Sequence, residues 1–439
     1  MIKIKNMKKL VSVIVFVIAN SLFSQSVTIP KDQSFYNPDL KPYHRTIKKP
    51  NHSNNHSQLI QDAIDEIEQK GGGILTIEAG NNNIYIINEE IRIKSNVHIK
   101  VNPNVIFKST SPRKIAFFSA GKYEPQRVTN FSLTSTDAKK YFTFDFLNRP
   151  AGKKITTKAL TLGGVQNFKV SNFIINDNST PHSGITVNLL EVSKKKYLFA
   201  KDGIIENIKI TNSHYGYGLV QCQAAENVLY RNLIGEGGAT LRLETGAIGK
   251  PYLADKSIII NNIYGKNIVC KNGQAAVTLS PHTIKNGKVF IDDLTADSCE
   301  AGAIVAAGFL SAKKEQRDKK GNAINGHTYG YFDANSVISN LKVIYGTNAQ
   351  LRPSRRPFVP CAQRNLISTH KNPDQESYTG PTIAGIIYFA KGGTRTDRGF
   401  YTVKTPGLEL KNFPLVNGQM ENKEFVASTK EFLTGCDKN

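Results

Sequence analysis

The segments Asn207-Ile-Lys-Ile-Thr-Asn212 and Asn227-Val-Leu-Tyr-Arg-Asn232 decide the fold. Each is a short run of strand-forming residues closed at both ends by asparagine, a turn-marking residue. Related copies are Asn167-Phe-Lys-Val-Ser-Asn172, Ile258-Ile-Ile-Asn-Asn-Ile263, Val289-Phe-Ile-Asp-Asp-Leu294 and Val337-Ile-Ser-Asn-Leu341. Successive copies begin 20 to about 50 residues apart, as expected for coils of about 20 to 30 residues interrupted by loop insertions. The pattern predicts an all-β chain wound as a parallel β-helix. A β-sandwich also yields many short strands, but it usually carries hairpin turns between adjacent runs and little helical capping.

Upstream, Leu59, Ile60, Ala63, Ile64 and Ile67 recur at helical spacing and predict one short amphipathic helix, ending at Gly71-Gly72-Gly73. Short strand-type runs follow at once. A helix leading into stacked strands fits a cap over the open end of a solenoid, where exposed strand edges need cover. The polar stretch from Lys313 to His327 and the region 346–380 are expected to be loop insertions, with the last strands near Thr382–Phe389 and Leu408–Leu410. One catalytic domain is expected over 27–439.

Lys3, Lys5, Lys8 and Lys9, the apolar run Leu10 to Phe23 and the small or polar residues to Ser26 have the form of a secretory signal peptide over 1–26. The chain is therefore expected to be secreted, extracellular or periplasmic, and no later apolar run is long enough to predict a membrane span. Losing those four lysines lowers the formal charge from +22 to +18. Such an excess favours a polyanionic partner. It is spread along the chain rather than gathered in an arm, and no basic stripe is interleaved with aromatics, so no nucleic-acid partner is expected. Cys222, Cys270, Cys299, Cys361 and Cys436 fit no zinc motif, and at least one of the five must stay unpaired within a monomer, the expected state.

Stacking the coils predicts a site. Aligning Val220-Gln221-Cys222-Gln223 with Leu241-Arg242-Leu243-Glu244 and Val277-Thr278-Leu279-Ser280 keeps the apolar residues inward. Gln221, Arg242 and Thr278 then share one outward column. Gln223, Glu244 and Ser280 share the next, with His282 just beyond. A carboxyl, a guanidinium, two amides and an imidazole converging on a rigid sheet suit general acid chemistry on a polyanion. Burial is expected to raise the Glu244 pKa and Arg242 to oppose the rise. A calcium-dependent lyase would need a cluster of acidic ligands, whereas the patch holds one carboxylate. Polygalacturonase-type chemistry would need paired aspartates that the chain does not display. No catalytic metal or other cofactor is called for, although a structural cation or anion is compatible with the pattern.

The segments Gly238-Ala-Thr-Leu-Arg-Leu-Glu-Thr245 and Ala275-Ala-Val-Thr-Leu-Ser-Pro-His-Thr-Ile-Lys-Asn-Gly287 resemble the iota-carrageenases, glycoside hydrolase family 82. The similarity continues through Ser298-Cys299, Gly308-Phe309 and Gly380-Pro381-Thr382 to Asn412-Phe413-Pro414. The resemblance implies a right-handed parallel β-helix that cleaves β-1,4 bonds of a sulfated galactan, with inversion. It implies Glu244 as general acid, with Gln221 and His282 at further catalytic positions. An inverting enzyme also needs a base, which the family pattern places two residues after the acid; here that position is Gly246. Asp255, Glu236 and Glu300 are the sequence-level substitutes.

Sulfate esters stay ionised, so arginine forks are their expected partners. Arg242, Arg352, Arg355, Arg356, Arg395 and Arg398 are candidates, with Gln223 beside the acid. In a chain without tryptophan, Tyr215 and Tyr217 would offer aromatic faces to a sugar. The alternative is a sulfated-polysaccharide-binding β-helix, non-catalytic or of altered specificity, that has lost its base.

Overall fold

The computed structural model describes residues 27–48, 54–152, 155–193, 196–246, 259–311, 316–392, 398–416, 419–420 and 424–425. The expected signal peptide, Asp255, Arg395 and Cys436 lie outside the described residues.

Among the described residues most strands fall into two sheets, of 15 and 10 strands. The larger runs through Val165–Asn176, Lys196–Thr211, Ala225–Glu236, Ile260–Lys271, Val289–Asp297 and Val337–Ile344 in chain order. The smaller runs through Ile185–Val187, Gly218–Cys222, Ala239–Glu244, Ala275–Ser280, Ala301–Val305 and Ala384–Tyr388. Neighbours within each of these series are parallel, and the chain visits the two sheets alternately, which is the path of a right-handed parallel β-helix.

The asparagines that flagged the repeat are its corners. Asn167, Asn172, Asn207, Asn212, Asn227, Asn232, Asn262 and Asn267 have φ between 49 and 64°, the left-handed region that asparagine tolerates best after glycine. Pairing steps over them: Gln166 faces Lys201 and Phe168 faces Gly203, with Asn167 left out of the register. Val165–Asn176, Lys196–Thr211, Ala225–Glu236 and Ile260–Lys271 therefore each bend twice, with Asp202 as one corner of the second. Val289–Asp297 and Val337–Ile344 bend once, at Asp293 and Asn340. Along one corner the side-chain amides form a ladder, Asn232 donating to Asn207 at 2.8 Å and Asn267 to Asn232 at 3.0 Å.

Between the sheets lies a continuous apolar core in which inward residues such as Val220, Leu241, Val277 and Ala303 stack with no exposed surface. The Ser57–Gln69 helix closes the N-terminal end, burying Ile60, Ala63, Ile64 and Ile67. The segment before it was not anticipated. Asp32 pairs with Arg231 at 2.7 Å, Phe35 is buried with Ile204 and Leu229, and Asn227, Asn167 and Asn130 each donate a side-chain bond to its backbone. It straps several coils together along the other corner, that of Asn130, Asn167 and Asn227.

The 346–380 insertion has structure of its own: Ala349–Leu351 pairs antiparallel with Tyr378–Gly380, and Pro353–Phe358 and Cys361–Leu366 are short 3-10 helices. Residues 316–327 are irregular apart from an Arg317–Ala323 bridge. Cys361 is disulfide-bonded, while Cys222, Cys270 and Cys299 are free and fully buried. Cys270 and Cys299 sit in adjacent coils with sulfurs 2.7 Å apart.

Candidate active site

The coil register expected from the sequence is the register observed. Gln221 faces Arg242, Arg242 faces Thr278 and Glu244 faces Ser280, while Cys222, Leu243 and Leu279 point into the core. This brings three side chains onto one carboxylate. Gln221 Nε2 donates to Glu244 Oε2 at 2.8 Å, Arg242 Nη2 donates to Oε1 at 2.9 Å, and His282 Nε2 lies 3.1 Å from Oε1. Gln223 precedes the same column, nearly buried, with its Oε1 unbonded. Arg242 is fixed from behind through a bond from Nη1 to the Gly216 carbonyl.

His282 is held by backbone and ring together. Its φ is 49°, its carbonyl accepts bonds from Phe309 and Gly330 at 3.0 and 2.9 Å, and its ring packs 4.3 Å from that of Phe309. Its Nδ1 is buried without a hydrogen-bond partner.

Burial is the largest single influence on Glu244 and pushes its pKa up, but the Arg242 charge and the bond and charge of His282 together outweigh it and hold the carboxyl down at about 2. The opposing pulls expected from the sequence are both present. The geometry decides between them, because Arg242 touches the carboxylate directly.

Gly246 has φ of +81°, and a Cβ built there would stand 2.9 Å from the His282 Cβ. The backbone at this point therefore requires glycine, and the imidazole occupies the adjoining space. The substitute carboxylates fare as follows. Glu236 ends a strand of the larger sheet, away from Glu244 at the opposite end of the Ala239–Glu244 strand. Glu300 is fully buried, 2.7 Å from Arg355 Nε and 2.8 Å from the Tyr215 hydroxyl; burial pushes its pKa up and the arginine pulls against it.

That cluster also redefines two expected substrate contacts. Tyr215 has no exposed surface: its hydroxyl donates to Glu300 and accepts from Gln274, so its ring has no open face for a sugar. Arg355 is committed to Glu300 and lies over the Phe389 ring at 4.8 Å, tying the 346–380 insertion to the coils. Both residues join the insertion to the coils. Arg352, by contrast, is exposed, 5.0 Å over the Tyr215 ring and beside Gly216. Arg398 lies 5.5 Å over the Phe309 ring, which itself packs against His282. The half-buried aromatic beside the site is Tyr217, packed on His182 and His214 with the Arg242 guanidinium 6.0 Å away. Phe309 and the two histidines are neighbours that spacing alone did not single out. The signal for Phe309 and His214 lay in the Gly308-Phe309 segment and in the His214-Tyr215-Gly216-Tyr217 turn, whereas no motif marked His182. Among the described residues no group of three His, Cys, Asp or Glu is placed to hold a metal, and no helix is long and apolar enough to cross a membrane.

No family model matches the chain. An iota-carrageenase of Alteromonas macleodii is 36% identical over 420 residues, covering 83% of this chain and 82% of its own. The chain belongs to the iota-carrageenase family. A second iota-carrageenase, from Zobellia galactanivorans, is 29% identical over 442 aligned positions, covering 88% of this chain and 86% of its own. A solved iota-carrageenase complexed to iota-carrageenan fragments superposes with a TM-score of 0.78 at 28% identity, over 92% of this chain and 95% of that one. A solved 1,3-α-1,4-β-D-galactose-4-sulfate-3,6-anhydro-D-galactose-2-sulfate 4-galactohydrolase gives 0.78 at 29%, over 89% and 93%. Since coverage is high in both directions, the iota-carrageenase framework accounts for the Glu244 sheet and for the coils on either side of it.

Proposed function

We propose that the chain is a secreted, endo-acting glycoside hydrolase that cleaves β-1,4 linkages of a sulfated galactan, iota-carrageenan, as an inverting monomer. Glu244 is the general acid. The observation that carries this reading is the convergence of Gln221, Arg242 and His282 on one carboxylate in an outward-pointing column of the sheet, within a chain of the iota-carrageenase family.

A general acid must be protonated when the glycosidic oxygen leaves, yet Glu244 is ionised in the free site. Arg242 reconciles the two. A substrate sulfate placed at its guanidinium competes with Glu244 for that charge and adds a negative potential, and both effects raise the carboxyl pKa. The acid is thus armed by the substrate that it cleaves. Gln221 and His282 orient the carboxyl and the neighbouring water.

Water activation falls to a carboxylate outside the 244–246 segment. Glu376, exposed on the insertion, acts electrostatically on Tyr217, as Glu244 does. Its loop is pinned by Asp374, which accepts a bond from the Tyr215 amide at 3.2 Å. An inverting mechanism needs a second carboxylate to activate water, and this reading gives that role to Glu376.

The test is reducing-end release from iota-, kappa- and lambda-carrageenan by the wild type, Glu244→Gln and Glu376→Gln. Release from iota-carrageenan that either substitution lowers by about a hundredfold or more supports the assignment. Gly246 favours a second reading, a groove that binds sulfated polysaccharide without cleaving it. Binding with no release from any of the three polymers would establish that reading instead.

A further inference from the structure

Cys270 and Cys299 bring their sulfurs together in the core, away from the Glu244 site. We propose that these two thiols are oxidised to a disulfide as the chain folds, a cross-link that closes the turn of the β-helix bearing His282. The proposal goes beyond the hydrolase reading and shares with it only the secreted state, since disulfides persist in oxidising compartments. Cys361 of the same chain is already disulfide-bonded.

The backbone delivers the pair. Cys270 lies near the end of Ile260–Lys271 and Cys299 just past the end of Val289–Asp297. These strands are parallel neighbours, with Cys270 opposite Ala296. Ser298, with φ of 53°, forms the corner beyond which Cys299 is fully buried. Backbone bonds bracket the two cysteines: Asn272 donates to the Asp297 carbonyl and Glu300 to that of Gly273, both at 3.0 Å. The sulfurs meet at 2.7 Å. A Cβ at Gly273 would stand 2.9 Å from the Cys270 sulfur, and the Gly238 carbonyl lies 3.7 Å from it, so the neighbouring turns close over the pair. A disulfide of about 2.05 Å then needs only a small side-chain movement. Cys222 is equally buried but two coils of the smaller sheet separate its strand from Ala301–Val305, beside Cys299.

Burial pushes the Cys299 thiol pKa up, so the packed coil offers little thiolate, the attacking species. The bond therefore forms before the coils close. One thiolate attacks a disulfide oxidant, and the other cysteine displaces the oxidant's sulfur from the mixed disulfide. Two S–H bonds break and one S–S bond forms, while the oxidant takes up two electrons and two protons and leaves as two thiols. Packing then keeps reductants out, which makes the bond a permanent staple. The cysteines are 29 residues apart, and the closed loop contains Ala275–Ser280 and His282. Glu300, next to Cys299, holds Arg355 of the insertion, so the staple secures the anchor of the insertion as well. Its stabilising effect comes from restricting the unfolded chain.

The test refolds the full chain from its reduced, denatured form in oxidised and reduced glutathione, then maps unreduced peptides by mass spectrometry. A peptide pair joined through Cys270 and Cys299, separated by a reductant, is expected. Alkylation of both cysteines by iodoacetamide in the denatured, unreduced protein would overturn the proposal. Thermal scans of Cys270→Ala, Cys299→Ala and the double variant give a second reading. Each single substitution should lower the midpoint by about 5–10 °C and the double little further, because either one removes the whole bond. Midpoints that fall additively would count against the staple. Export is followed separately, by fractionating a bacterial host that expresses the chain. Joined peptides in a chain retained inside the cells would remove the secreted reading and keep the staple; an exported chain with both cysteines alkylated would do the reverse.

Discussion

Glu244 stores much of its free energy in being ionised. Its pKa in the folded chain, about 2, lies below the ordinary value of 4.5, so its contribution is fully present above pH 4.5 and is lost as pH falls through about 2. The shift corresponds to roughly 3 kcal/mol. Glu244→Gln should therefore melt below the wild type at pH 7, and the gap should narrow as thermal scans are taken from pH 4.5 downward. Arming by substrate makes a further prediction. Between about pH 5 and 6, binding of a sulfated oligosaccharide should take up protons, seen as a dependence of calorimetric heat on buffer ionisation enthalpy. The uptake should vanish in Glu244→Gln. The glycine beside His282 is tested by Gly246→Asp. Its φ of +81° and the 2.9 Å approach predict a loss of about 1–3 kcal/mol and a displaced imidazole, with no gain of activity in a reducing-end assay.

At the scale of elements, the corner asparagines do two jobs that the sequence pattern reveals only in part. That Asn207 and Asn232 end strand runs is legible, because short apolar runs bounded by asparagine repeat. That Asn232 is at once donor to Asn207 and acceptor from Asn267 depends on coils 25 and 35 residues away arriving in register. Asn232→Ala should cost about 1–2 kcal/mol in chemical denaturation, and Asn232→Gly less, since glycine keeps the left-handed backbone and loses only the ladder. The N-terminal strap was illegible for the same reason: Phe35 meets Ile204 and Leu229 only once distant coils have stacked. Removing its ring in Phe35→Ala should cost about 3–5 kcal/mol by the same measurement.

Across the whole molecule, the formal charge of +22, or +18 once residues 1–26 are removed, sets the response to salt. Attraction between a basic surface and a polyanion is screened over about 10 Å at 0.1 M ionic strength. The KM for iota-carrageenan should therefore rise several-fold between low salt and about 0.5 M sodium chloride, while kcat changes less, in a steady-state assay of the wild type. Buried Glu244 and its partners are shielded from that screening.

The β-helix, its helical cap and the columns that deliver Gln221, Arg242, Glu244 and His282 to one face are written in the order of residues along the chain. Those features follow from periodicity and local backbone preference, which each coil carries in its own residues. The roles of the residues around those columns emerge in three dimensions. It turned Tyr215 inward onto Glu300, committed Arg355 to that same carboxylate and left Arg356 facing a cavity. Each of these outcomes depends on where a long insertion folds back against the coils. Contacts between segments about 50 to 160 residues apart are set by packing and charge pairing in three dimensions, and no repeat along the chain encodes them.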